Sequence, residues 1–178
     1  MADGTLKVGT ITTSSGSGNI AIGSGVTVNV NRPAFEAYLS SNQSVSDAST
    51  TKVQIDTEIF DTDGCYDNAT NYRFTPTEPG KYFVYARLKV YGGANSDISF
   101  TSAHIYKNGS DTSKAENNFA ANYPRNISTP VFAVVDLNGT TDYVEFFGQV
   151  DGVSGGSEVF QSNGGVPVTI FGAYKLGA

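Results

Sequence analysis

Residues 80–91, GKYFVYARLKVY, place apolar or aromatic side chains on both alternating faces of an extended chain. Tyr82, Val84, Ala86, Leu88 and Val90 fall on one face, with Phe83, Tyr85 and Tyr91 on the other. A half-exposed strand alternates apolar with polar, so this pattern predicts a strand covered on both sides. In a domain this small the second cover is expected from another subunit. The preceding segment 75–80, TPTEPG, supplies the turn: Pro79 cannot donate to a ladder and Gly80 tolerates positive φ.

The rest of the chain is built to suit such a strand. Its 178 residues fit one domain with a short appendage and are long enough for a real core. β-Branched and aromatic residues, including 10 Tyr and 11 Phe, arrive in short runs split by Gly, Asn, Pro and Ser, the pattern of an all-β fold. No amphipathic helical window exceeds about two turns. The net charge of −6, with no Lys/Arg cluster, argues against nucleic acid or an anionic membrane surface as partner. No run approaches the roughly 20 apolar residues of a membrane helix. The first residues lack the features of a secretory leader, so synthesis in a cytoplasm is expected.

Two regions are predicted. Residues 1–31 hold short β pieces separated by Gly/Ser turns, none long enough for a sheet alone. They suit either a flexible linker or an intertwined attachment collar, and the repeated Gly-apolar-x-apolar pieces favour the collar. Residues 32–178 form the main domain, with about eight strands. The expected strands are one around Phe35–Leu39, then 52–60, 72–74, 80–91, 98–107, 130–137, 142–150 and 166–176. Residues 110–126 read as a long polar loop with at most a short edge strand. Asn108-Gly109 and Asn138-Gly139 are hairpin signals. Strands 80–91, 130–137 and 166–176 are apolar on both faces. Placed in one sheet with the Phe35 strand, they would be buried by cyclic threefold packing.

The main domain resembles the globular head of complement component one, subcomponent q, within the tumour-necrosis-factor-like jelly rolls. Five residues separate Ile55 from Asp61 and four separate Asp61 from Tyr66. Phe74 follows, then Gly80 and Tyr82. Residues 170–176, IFGAYKL, are similar to the family's closing strand, and Lys107-Asn108-Gly109 to its turn. The chain departs from the pattern at Ile55, Val84 and Ala86, where the family usually has aromatics. The Tyr66–Phe74 spacing is one residue longer, and no collagen-like stalk is present. The resemblance implies an antiparallel jelly-roll β-sandwich and a homotrimer, while these departures point away from a complement or adipokine role. The segment LKVGTITTSSGSGNI ahead of such a head resembles structural proteins of tailed bacteriophages, particularly marine and cyanobacterial ones.

Candidate chemistry is sparse. Asp61, Asp63 and Asp67 with Gly64 have the look of a calcium loop, and some family members bind calcium. The twelfth-position Glu and flanking helices of an EF-hand are missing, so a tight turn is the expected role. His104 is the sole histidine and lies mid-strand, and no nucleophile elbow accompanies it. One His and one Cys, Cys65, cannot supply most of a zinc shell or an internal disulfide. Glu145, Asp151 and Glu158 are carboxylates without the spacing of a glycosidase pair. Tyr66, Tyr72 and Tyr123 are loop aromatics of the kind that stack on sugars. The sequons at Asn42, Asn68, Asn108, Asn126 and Asn138 read as turn residues. No catalytic, metal or cofactor site is therefore expected. The expected function is a non-enzymatic, homotrimeric virion protein, a fibre or a head/tail decoration. Its N-terminal segment would join other virion proteins and its head would bind a host-surface glycan or protein. The alternative is a structural cement or connector with no receptor.

Overall fold

The period-2 alternation becomes two stacked antiparallel sheets in the computed structural model, which describes residues 32–154 and 158–177 and the isolated position 24. The attachment collar expected at residues 1–31 lies outside the described residues, Ser24 aside. The strands in chain order are β1 (Ala34–Tyr38), β2 (Gln43–Ser44), β3 (Thr51–Lys52), β4 (Thr57–Asp61), β5 (Tyr66–Asp67), β6 (Arg73–Phe74) and β7 (Gly80–Tyr91). They continue with β8 (Ile98–Lys107), β9 (Ser110–Asn118), β10 (Asn126–Leu137), β11 (Val144–Gly152), β12 (Val159–Phe160) and β13 (Ile170–Gly177).

In the first sheet β10 and β13 flank β7, and β13 is followed by β1 and then β4. The short β12 pairs with the last residues of β7, and β2 lies outside it. In the second sheet β9, β8 and β11 run side by side. β6 and β3 share the far edge of β11, and β5 adds to β6. The architecture is an antiparallel jelly-roll sandwich: the alternation predicts the sandwich, and the resemblance implies the jelly roll. The three doubly apolar strands do share one sheet with the Phe35 strand.

The core lies between the inner faces. From β7 it takes Tyr82, Val84, Ala86, Leu88 and Val90, all buried. Phe35 of β1 is the hub. Its ring stacks on Tyr66 at 4.4 Å and Phe74 at 4.7 Å, and meets Phe171 edge-on at 5.1 Å. Offset and edge-on pairs of this kind each add about 0.5–1.5 kcal/mol beyond the area they bury. The buried phenol of Tyr66 donates to the Ile55 carbonyl at 2.8 Å, so its polar end is satisfied.

Four segments differ from expectation, each for a physical reason. Residues 110–118 form the nine-residue strand β9 rather than a loop. The Asn108-Gly109 turn delivers them beside β8, and the ladder holds them although only Ala115 packs on the core. An edge strand with solvated faces needs few apolar residues. The expected strand 52–60 is split. Val53 and Ile55 are both buried, but the chain crosses from β3 in the second sheet to β4 in the first between them and Thr57. Alternation persists through the crossing, which is why it read as one strand. β10 begins at Asn126, four residues ahead of Pro130. Pro130 is tolerated because β10 is ladder-paired to β7 alone, leaving its other edge without main-chain partners. Finally, β13 begins at Ile170 and not at residue 166. The segment before it is held by Arg87, which donates to the carbonyls of Pro167 at 2.7 Å and Val168 at 3.0 Å.

The hub position of Phe35 gives a stability expectation. Phe35→Ala leaves a cavity among three rings and should lower unfolding free energy by about 3–5 kcal/mol, read from urea titration.

Candidate functional site

The outward face of the first sheet is apolar where an ordinary solvent-facing sheet surface is polar. The ladders place its residues in rows. Phe60, Glu36, Gly172, Tyr85 and Phe132 follow one another across β4, β1, β13, β7 and β10. The next row is Ala34, Tyr174, Phe83 and Val134, and a third is Tyr38, Ile170, Arg87 and Pro130. The rings order one another: Phe83 lies 6.2 Å from Phe132, 5.5 Å from Tyr174 and 6.0 Å from Tyr85. Phe132 is 66 % exposed, Val134 59 %, Phe60 45 % and Tyr174 45 %. These side chains sit over a continuous ladder, and their exposure shows that the described residues leave them uncovered.

Tyr85 is positioned by two neighbours. A Cβ at Gly172 would collide with the Tyr85 ring and hydroxyl, so only glycine lets the ring lie across β13. The phenol donates to Glu36 Oε2 at 2.6 Å. Burial, and then the Glu36 carboxylate accepting this bond, push the Tyr85 phenol well above its ordinary value. Charges around the face are spent locally: Lys81 pairs with Asp136 at 3.5 Å, and Arg87 holds the Pro167 and Val168 carbonyls.

The reverse of the second sheet carries the one histidine. Ser102, His104 and Tyr106 project away from the core side of β8. Ser102 Oγ lies 2.7 Å from His104 Nε2, and His104 Nδ1 lies 2.8 Å from Asp111 Oδ2. Asp111 arrives across the 108–109 turn, and the bulge between Ile105 and Tyr106, which has no sequence signal, hides this Ser-His-Asp chain from a sequence reading. The arrangement is chemically closed, however. Ser102 is only 1 % exposed, and β8 is ladder-paired on both edges, so its backbone amides are committed. It acts as a buried polar tie between β8 and β9.

The remaining sequence candidates fall apart as a site. Asp61 accepts from the amides of Asp63 at 3.2 Å and Tyr66 at 2.7 Å. Asp67 accepts from the amides of Ala69, Thr70 and Asn71 and from the Asn71 side chain. Those bonds, Thr70's first, lower its pKa to about 2. No grouping of three or more metal-ligating side chains occurs among the described residues. Cys65 is buried, which pushes its thiol up. Glu145 is buried in an ion pair with Lys52, and Glu158 is enclosed. Asp151 lies within β11. Tyr66 is a correction. It is core, stacked on Phe35, and only Tyr72 and Tyr123 keep partial exposure.

The same fold occurs in solved structures. The globular domain of zebrafish complement 1qA protein aligns with a TM-score of 0.55 at 14 % identity, covering 82 % of this chain and 98 % of that one. Murine APRIL aligns at 0.57 and 10 % identity, covering 82 % and 99 %. Eiger TNF from S. frugiperda aligns at 0.53 and 12 %, covering 82 % and 92 %. The fold is therefore the jelly roll of the complement-q and tumour-necrosis-factor type. No family model matches the chain, and no curated protein matches its sequence.

Two outcomes follow. Gly172→Ala should force Tyr85 off β13 and lower stability by about 1–3 kcal/mol, with a changed near-ultraviolet tyrosine signal. Asp67 has a folded pKa of about 2 against an ordinary 3.8, so it binds fewer protons folded than unfolded. Its stabilisation is full above the ordinary value and is lost as pH falls through the folded one. The urea midpoint of the natural chain should therefore fall more steeply than that of Asp67→Asn as pH drops from 4 towards about 2.

Proposed function

We propose that this chain is a non-enzymatic binding head that works as a homotrimer, assembled through the outward face of the first sheet. The observation that carries this reading is the aromatic face that the described residues leave uncovered. Its two apolar margins differ. Phe132 and Val134 lie on β10 at one edge, and Ile59 and Phe60 on β4 at the other. A contact between unlike margins is head-to-tail, and head-to-tail contacts close into rings. A ring of three puts three copies of any binding surface on one particle and multiplies a weak single-site affinity through avidity. The complement-q and tumour-necrosis-factor fold supports this reading. So does the enclosed state of Ser102, Glu145 and Glu158, which leaves the candidate chemical groups without access to a substrate.

The finer proposal is a virion fibre or head/tail decoration protein that binds a host-surface component. It rests on the resemblance of residues 6–20 to tailed-phage structural proteins. In that arrangement the N-terminal segment joins other virion proteins and the head faces outward.

Mixing tests the assembly. Phe132→Asp and Phe60→Asp each spoil one margin, and an unpaired buried carboxylate should weaken association about a hundredfold or more. Each variant alone should scatter as one chain. Their mixture should stop at two, because only one sound margin of each kind remains. Trimers from either variant would overturn the head-to-tail reading. A glycan array with the natural chain tests the receptor role, and silence there would favour a cement or connector.

A further inference from the structure

The head contains three Asn-Gly pairs, at Asn108, Asn138 and Asn163, and one carboxylate is bonded to the turns of the first two. Asn108 Nδ2 donates to Asp142 Oδ1 at 2.8 Å, and the Asn138 amide donates to Asp142 Oδ2 at 3.1 Å. Lys107 Nζ lies 3.0 Å from the same Oδ2. Asn-Gly is the dipeptide most open to deamidation, because no side chain shields the following amide. The Gly nitrogen attacks the Asn Cγ and ammonia leaves. Water then opens the resulting succinimide to Asp or isoAsp, so water is the sole co-reactant. The reaction needs the carboxamide to swing free and the Gly nitrogen to approach it.

These first two pairs are not equally protected. The Asn138 carboxamide is fixed by three amides: its Oδ1 accepts from Thr140 at 2.9 Å, Thr141 at 2.9 Å and Asp142 at 3.0 Å. Gly139 is buried, so tightly against the Glu78-Pro79 peptide that a Cβ there would collide with it. Gly109 is exposed, with φ +78, and a Cβ there would meet only the Tyr143 hydroxyl, in ordinary contact at 3.9 Å. Protection of Asn108 therefore depends on its carboxamide alone. That group is held by the bond to Asp142 and by the Tyr143 amide donating to Asn108 Oδ1 at 2.9 Å.

We propose that Asp142 is a lock against deamidation, and that Asn108 is the modification site it guards. The consequence is structural as well as chemical. Conversion of Asn108 replaces an N–H donor with a carboxylate facing the Asp142 carboxylate. Attraction becomes like-charge repulsion at the point where the β8–β9 and β10–β11 turns are tied. One conversion thus adds a negative charge and loosens two turns together.

Peptide mapping by mass spectrometry, on full chains held in mildly alkaline buffer, tests this. In the natural chain, Asn108 should convert much more slowly folded than in concentrated guanidinium. Asp142→Ala should accelerate folded-state conversion at Asn108 by at least about tenfold, the worth of one charge-assisted hydrogen bond. Asn138 in the same molecules should stay intact, reporting that the fold survives. Asp142→Asn keeps an acceptor oxygen and should remain slow. Folded and denatured natural chains converting at the same rate would overturn the lock. So would no acceleration in Asp142→Ala, or equal acceleration at Asn108 and Asn138 in both variants.

Discussion

The stacking of Phe35 on Tyr66, Phe74 and Phe171 fills the inner face of the first sheet, and the second sheet completes that burial. On the reverse of the same strands Phe83, Tyr85, Phe132 and Tyr174 form a second aromatic layer that the described residues leave uncovered. Because strand side chains alternate, an apolar residue added between core positions must point outward. A 12-residue strand such as β7, apolar on both sides, therefore asks for two covers, and the second sheet supplies one. Other features of the first sheet serve this outer layer. Gly172 yields space to Tyr85, Glu36 accepts from its phenol, and Arg87 is turned aside onto backbone carbonyls.

The second sheet solves the opposite problem. Its outer face is polar and closed on itself. Ser102, His104 and Asp111 bond to one another, Lys52 pairs with Glu145, and Tyr106 stacks on Phe147 at 4.2 Å. Buried polar groups satisfied in this way hold strands in register without inviting a partner. The asymmetry between a self-satisfied polar face and an exposed apolar one gives the head a direction.

The fold was legible wherever packing wrote itself into period-2 alternation. β7, β8 and the apolar part of β10 could be read directly, and the Asn108-Gly109 turn announced its hairpin. The aromatic face was readable as an excess of apolar residues, though not as specific rows, since rows depend on register between strands far apart in sequence. β9 was hidden because edge strands need little apolar character. The break between Lys52 and Thr57 was hidden because Val53 and Ile55 keep alternating while changing sheets. Tyr66 looked like an exposed loop residue beside Asp61 and Asp67. Only the folded chain brings it onto Phe35. The Ser102-His104-Asp111 chain could have been suspected from the 108–109 turn, which folds residues 110–114 back alongside 104, but the bulge that aims Asp111 at the ring leaves no sequence mark.

The central claim is that the outward face of the first sheet is covered by copies of the same chain. Light scattering from the natural, full-length chain tests it most directly. The account predicts a particle about three times the 18.8 kDa chain mass, unchanged on moderate dilution. A particle of one chain mass at the same concentrations would contradict it, and the exposed rings would then need a different cover.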